Sequence, residues 1–118
     1  MRHTVILGTS PPTVDEVIAV ARGNALIEIS AAALDAMAVS RAHVDTLAHQ
    51  KTPVYGISTG FGALAHRHIP PENRVQLQKS LIRSHAAGSG NEVEREVVRA
   101  TMFLRLKTLT SGHTGVRP

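Results

Sequence analysis

Proline pairs and glycine clusters cut this chain into helix-length pieces, and that punctuation limits its fold more than any other feature. Pro11-Pro12, Gly23-Asn24, Thr52-Pro53, Pro70-Pro71 and Gly88-Ser89-Gly90 fall at intervals along 118 residues. Proline is tolerated in a first helical turn and excluded from a helix interior, while glycine and asparagine end helices. The punctuation predicts four helices, at about 13–22, 30–50, 70–87 and 92–109. In the first, Thr13 and Glu16 have capping-box spacing, and Val14, Val17, Ile18 and Ala21 share a face. Ser30 is placed to cap the second, whose alanine-rich sequence favours helix and carries a stripe of Leu34, Met37, Ala38 and Leu47. The third opens at Pro70-Pro71 and puts Leu77, Leu81 and His85 at a spacing of four. The fourth begins with Glu92, Glu94 and Glu96, which suit a helix N-terminus, and continues into "MFLRLKTL", apolar on nearly every side. Two short apolar runs near residues 3–7 and 25–29 are read as a small pair of strands. The fold class expected is mainly α with that one β element, in a single 1–118 unit.

A helix apolar all round needs neighbours all round. Four helices and a scrap of sheet can hardly supply them, so the chain reads as part of a larger protein and is expected to self-associate when isolated. Composition excludes several classes. Hydrophobic residues at 42% and charged residues at 19% are not those of a disordered chain. With no cysteine there is neither a disulfide nor a thiolate metal site. No apolar run nears the roughly 20 residues of a membrane span, and "MRHTVILGTSPP" is a poor signal peptide. The localisation expected is cytoplasmic, with no membrane partner.

Residues 1–65 carry four Lys/Arg against five Asp/Glu, and residues 66–118 carry nine against four. A basic helical module for nucleic acid is therefore one alternative. Against it, the basic residues are scattered over several segments, with no aromatics interleaved to stack on bases. The reading is that nucleic acid is not a partner and that the charges lie on solvated or paired helix surfaces.

The stretch "PVYGISTGFGALAH", residues 53–66, holds Tyr55 and Phe61, two of only three aromatics, among Gly56, Gly60 and Gly62. Its "GISTG" matches the nucleophile elbow of serine hydrolases, but no strong strand precedes Ser58 and no aspartate follows it. It lacks the Gly-Lys-Ser/Thr of a phosphate loop. "HRH" at 66–68 has no third ligand at metal spacing, so no metal site is assigned. His85, following apolar helix positions and preceding Ala-Ala-Gly, is either a core histidine bonded to backbone or the rim of a pocket.

"VYGISTGFG", "LQKSLIRSHAAGSG" and "RLKTLTSGHTGVRP" occur in that order, and together they resemble the aromatic amino acid ammonia-lyases. The resemblance covers nearly the whole chain and is similar in kind to the N-terminal part of the histidine-specific branch. It implies a helical ammonia-lyase fold and removal of ammonia from L-histidine to give trans-urocanate in histidine catabolism. It implies a 4-methylidene-imidazol-5-one electrophile, formed from an internal Ala-Ser-Gly or Cys-Ser-Gly. Neither tripeptide occurs in these residues, so the group is expected to arise beyond residue 118, and this stretch alone is expected to be inactive. The resemblance further implies a homotetramer with active sites shared between subunits.

By motif, Tyr55 matches the tyrosine of a mobile loop spanning about 53–64, a base or proton carrier over the electrophile. Gly56, Gly60 and Gly62 are its hinge, and the loop is expected to be among the least ordered segments. A free phenol is a poor base at neutral pH, so the site must activate it. Ser84 and His85 match the substrate-selecting pair, able to hydrogen-bond an imidazole. A related tyrosine 2,3-aminomutase, which returns the ammonia to the β-carbon, is the alternative within the same resemblance.

Overall fold

The computed structural model describes residues 3–118; Met1 and Arg2, part of the stretch weighed as a signal peptide, lie outside it. The elements run β1 (Thr4–Leu7), α1 (Val14–Ala21), β2 (Leu26–Ile29), α2 (Ala31–Ala48), α3 (Pro71–His85) and α4 (Arg95–Leu109). A short 3-10 turn, Gly62–Leu64, lies between α2 and α3. The chain divides into two compact units. One comprises the chain up to His43 together with Glu92–Pro118, and the other is Val44–Asn91. Among the described residues no helix is long and apolar enough to cross a membrane.

In the first unit, β1 and β2 pair in parallel, with Val5 opposite Ile27 and Leu7 opposite Ile29. Parallel neighbours need a crossover, which α1 provides. Alternation along β1 buries Val5 and Leu7 and leaves Thr4 and Ile6 outside. The core is Val5, Leu7, Val20, Ala25 and Phe103, with Val17, Ala19, Ile27 and Leu106 packed around it. Phe103 of α4 is 1% exposed and is the largest fully buried side chain.

The capping box forms as its spacing predicts. The Thr13 hydroxyl accepts from the Glu16 amide at 3.2 Å, and the Glu16 carboxylate accepts from the Thr13 amide at 2.7 Å. The buried face of α1 differs from the expected stripe. Val20 and Ala21 are buried, whereas Val14 is 75% and Ile18 44% exposed. Periodicity gives the angular width of an apolar stripe, while contact with β1 and α4 selects which edge is covered. At the end of α1, Asn24 adopts φ 53°, the only non-glycine positive φ among the described residues. Asparagine tolerates that region, and its Oδ1 accepts from Arg95 Nη2 at 2.8 Å.

Ser30 caps α2 through the Ala33 amide at 3.2 Å. Only Ala33 and Met37 of α2 are buried, so the expected stripe through Ala38 and Leu47 is covered only in part. The segment after α4 is held to α2: the Gly115 amide donates to Ser40 Oγ at 3.0 Å, and the Gly115 carbonyl accepts from Arg41 at 3.4 Å. Gly112, at φ +79°, passes so close that an added Cβ would lie 2.7 Å from the Ala36 Cβ.

The helix ends differ from the sequence expectation by one to three residues. α4 starts at Arg95, because the Glu94 carbonyl accepts the first helical bonds, from Val97 and Val98. α3 stops at His85, because Ala86 leaves helical geometry at φ −80°, ψ 69°. α2 stops at Ala48 rather than Gln50, in turns closed by the Thr46 and Leu47 carbonyls.

Candidate active site

The second unit carries every residue singled out for chemistry. Its loop is built from the middle outward. Ser58, Thr59 and Gly60 are buried. The Ser58 hydroxyl accepts from the Val54 amide at 2.9 Å, and the Thr59 hydroxyl accepts from the Gly56 amide at 3.2 Å while donating to the Gly60 carbonyl at 3.0 Å. Ile69 N–H donates to the Ser58 carbonyl at 2.9 Å, and Gly60 N–H to the Arg67 carbonyl at 3.1 Å. Thr59 and His68 thereby form an antiparallel bridge. Buried polar groups are tolerable when bonded in this way. The foot of the 53–64 loop is thus buried and hydrogen-bonded, while Tyr55, Gly62, Ala63 and Leu64 are exposed. Ser58 is fully buried and its hydroxyl has no histidine partner among the described residues, unlike a hydrolase nucleophile.

Tyr55 stands out from this foot. It is 63% exposed, and its ring meets Phe61 edge-on, centroids 5.8 Å apart and planes at 82°. The glycines divide by physical role. Gly56 and Gly62 adopt φ +71° and +55°, the left-handed region. Gly60 has no such φ; an added Cβ would fall 2.5 Å from the Leu64 Cβ, so it is a contact glycine.

Ser84 and His85 close α3. Arg74, Leu77 and Leu81 form the half-buried stripe of that helix, and His85, one turn on, is exposed. The Leu81 carbonyl accepts from Ser84 Oγ at 2.8 Å and lies 2.9 Å from His85 Nδ1. A carbonyl only accepts, so the network assigns the proton to Nδ1. Ser84 Oγ, 3.0 Å from Nδ1, shares that proton as a second acceptor. Nε2 of the neutral ring is left as an outward-facing acceptor. His85 is thus bonded to backbone without being a core residue. Sequence spacing found the position, but it could not show that the ring faces outward.

The structure brings Ser84 and His85 together, and Tyr55 with Phe61. No hydrogen bond or ring contact among the described residues joins the two pairs, and no group of His, Asp or Glu side chains is arranged to hold a metal. His66 and His68 are both exposed. Phe61 is the site residue that motif reasoning passed over; its signal was an aromatic six positions from Tyr55 in a chain with three aromatics.

The family profile "Aromatic amino acid lyase" matches residues 13–118. Histidine ammonia-lyase of Streptomyces griseus is 65% identical over 116 residues, covering 98% of this chain and 23% of that relative. Among solved structures, ergothionase of Treponema denticola superimposes with a TM-score of 0.91 at 29% identity, over 97% of this chain and 23% of that one. The tyrosine aminomutase of Streptomyces globisporus does so with a TM-score of 0.89 at 34% identity, over 98% and 22%. The chain spans under a quarter of the length of each. Matched along most of its sequence and superimposable on such folds, the chain belongs to the aromatic amino acid lyase family.

Proposed function

We propose that these residues form the N-terminal part of a histidine ammonia-lyase, which converts L-histidine to trans-urocanate and ammonia in histidine catabolism. The observation that carries this reading is 65% identity to the S. griseus enzyme, against 34% to the tyrosine aminomutase. In the reaction the Cα–N bond breaks with its electron pair leaving on ammonia, and a proton is lost from Cβ.

Tyr55 is the residue proposed to carry a proton. Its hydroxyl has no partner among the described residues, and the pinned foot of its loop holds the ring outward, as suits a group that must face another segment. That arrangement fits a methylidene-imidazolone formed from a tripeptide elsewhere in the protein. Such a group supplies electrophilic activation of the substrate when present. Ser84 and His85 are proposed to select the substrate. The outward Nε2 accepts from an imidazole N–H, which an apolar pair could not do. Gly56 and Gly62 permit the backbone path of the Tyr55 loop, and Gly60 lets it pack.

A homotetrameric, cytoplasmic enzyme with shared sites is part of the proposal, supported by exposed Val97, Val98, Met102 and Leu104 on α4. Residues 1–118 alone, lacking the tripeptide, are proposed to be inactive. Several basic residues of the second half bond within the chain. Arg95 bonds Asn24, Arg99 bonds the Val20 carbonyl, and Lys107 bonds the Gly8 and Thr9 carbonyls. That supports the lyase reading over a nucleic-acid module.

The aminomutase keeps a place as second reading through its TM-score of 0.89. Product analysis of the full-length protein separates the two. Urocanate and free ammonia from L-histidine are expected; a β-amino acid formed from tyrosine would replace the first reading with the second.

A further inference from the structure

Within the second unit, a cleft of about 480 Å³ lies between the end of α2, the segment at His68 and the first turn of α3. Its charged or titratable lining is all basic: His49, Lys51, His68 and Arg74, with no carboxylate among the lining residues. These four basic groups line one opening that neither Tyr55 nor the Ser84–His85 pair lines, and they have no role in the chemistry proposed above. We propose that this cleft binds a small phosphoryl anion.

Two of the four groups are already oriented. The half-buried Arg74 guanidinium is fixed by two backbone carbonyls, Nε to Ile69 at 3.1 Å and Nη1 to Ala48 at 3.0 Å. Nη2 is left over as a donor. A positioned guanidinium loses little freedom when it meets an oxyanion. His49 Nδ1 lies 2.6 Å from the Asp45 carbonyl, so Nδ1 carries the proton. Its Nε2 can donate to an anion only when the ring is an imidazolium. Lys51 and His68 are exposed and line the same cleft as Arg74. The carboxylates nearest in sequence are Asp45, one turn before His49, and Glu72, in the first turn of α3; neither lines the cleft.

The cleft also touches the foot of the Tyr55 loop, since His68 is bridged to Thr59. An anion seated there ties the 66–69 segment to α3 and slows opening at Ser58 and Gly60.

The test is calorimetric titration of the folded protein with inorganic phosphate and, separately, with sulfate, at constant ionic strength. The expected result is saturable binding of both anions, and slower exchange of the Ser58 and Gly60 amides when phosphate is bound. Lys51→Met and His68→Gln, both at exposed side chains, each weaken binding by about three- to fivefold, as for partly solvated ion pairs. Glycerol phosphate binding as tightly as phosphate identifies a phosphate monoester as the natural source; phosphate alone binding identifies the free ion. Absence of saturation, or affinity unchanged in both variants, overturns the proposal. None of these readouts needs turnover, so they stand apart from the lyase assignment.

Discussion

The Phe61 ring presents an edge-on contact to Tyr55 at 5.8 Å, the one ring contact of that exposed tyrosine among the described residues. The two rings meet across a six-residue excursion of backbone, and the prediction is that Phe61 orients the phenol. Phe61→Leu keeps the bulk and removes the edge-to-face geometry, worth about 0.5–1.5 kcal/mol. In the full-length enzyme kcat should fall roughly three- to tenfold, at 1.4 kcal/mol per tenfold, with little change in melting temperature. Steady-state kinetics beside a thermal melt checks it; an unaltered kcat would show that Phe61 does not orient Tyr55.

Gly60→Ala and Gly62→Ala separate space from backbone strain. At Gly60 the new methyl meets Leu64, side chain at 2.5 Å and carbonyl at 3.0 Å, whereas at Gly62 it meets nothing within 4 Å but sits at φ +55°. Gly62→Ala should cost roughly 1 kcal/mol, the left-handed penalty. Gly60→Ala should cost more, roughly 1–3 kcal/mol, as overpacking does. Denaturant melts that rank them the other way round would contradict this division.

His85→Leu should lower kcat/KM for histidine relative to phenylalanine by about 5- to 150-fold, the value of a hydrogen bond in a closed site. Because the ring is exposed and outside the core, stability should change by no more than about 0.5 kcal/mol. The decisive pair of measurements is that kcat/KM ratio and the melting temperature. A constant ratio with a lower melting temperature would assign His85 a packing role.

Glu96 and Arg22 join the first turn of α4 to the end of α1, Oε2 to Nε at 2.6 Å. The hydrogen bond from Arg22, and then its charge, hold the Glu96 carboxyl below the usual carboxylate range. A carboxylate with a depressed folded pKa stabilises above its unfolded pKa, and the effect is lost as pH falls through the folded value. Stability should therefore drop more on acidification in the parent than in Glu96→Gln. Since both groups are solvent-exposed, the difference should shrink in high salt. Equal acid sensitivity of the two proteins at low salt would remove this pair from the stability account.

Phe103→Ala should destabilise the first unit by roughly 3–5 kcal/mol, the cost of emptying a buried aromatic site. Urea unfolding followed by circular dichroism measures it. A loss below about 1 kcal/mol would mean that Val20 and Leu106 collapse into the space.

Local chemistry was legible along the chain. Thr13 with Glu16, Ser30, Gly23-Asn24 and Pro70-Pro71 act through neighbours a few residues away, so their spacing alone located the helix ends to within a turn. The three motifs carried the family for the same reason, being contiguous strings. What spacing could not supply was the outcome of long-range competition. Which side of α1 is covered depends on Phe103, more than eighty residues distant. That Gly60 is held by space rather than by φ depends on where Leu64 returns. The foot of the glycine-rich loop is tied down because Ser58 bonds Val54 and Ile69, Thr59 bonds Gly56 and Gly60, and Gly60 bonds Arg67. The outward acceptor of His85 follows from one carbonyl at Leu81. Residue type and spacing determine what a side chain can offer; only the folded backbone decides which atoms are left to offer it.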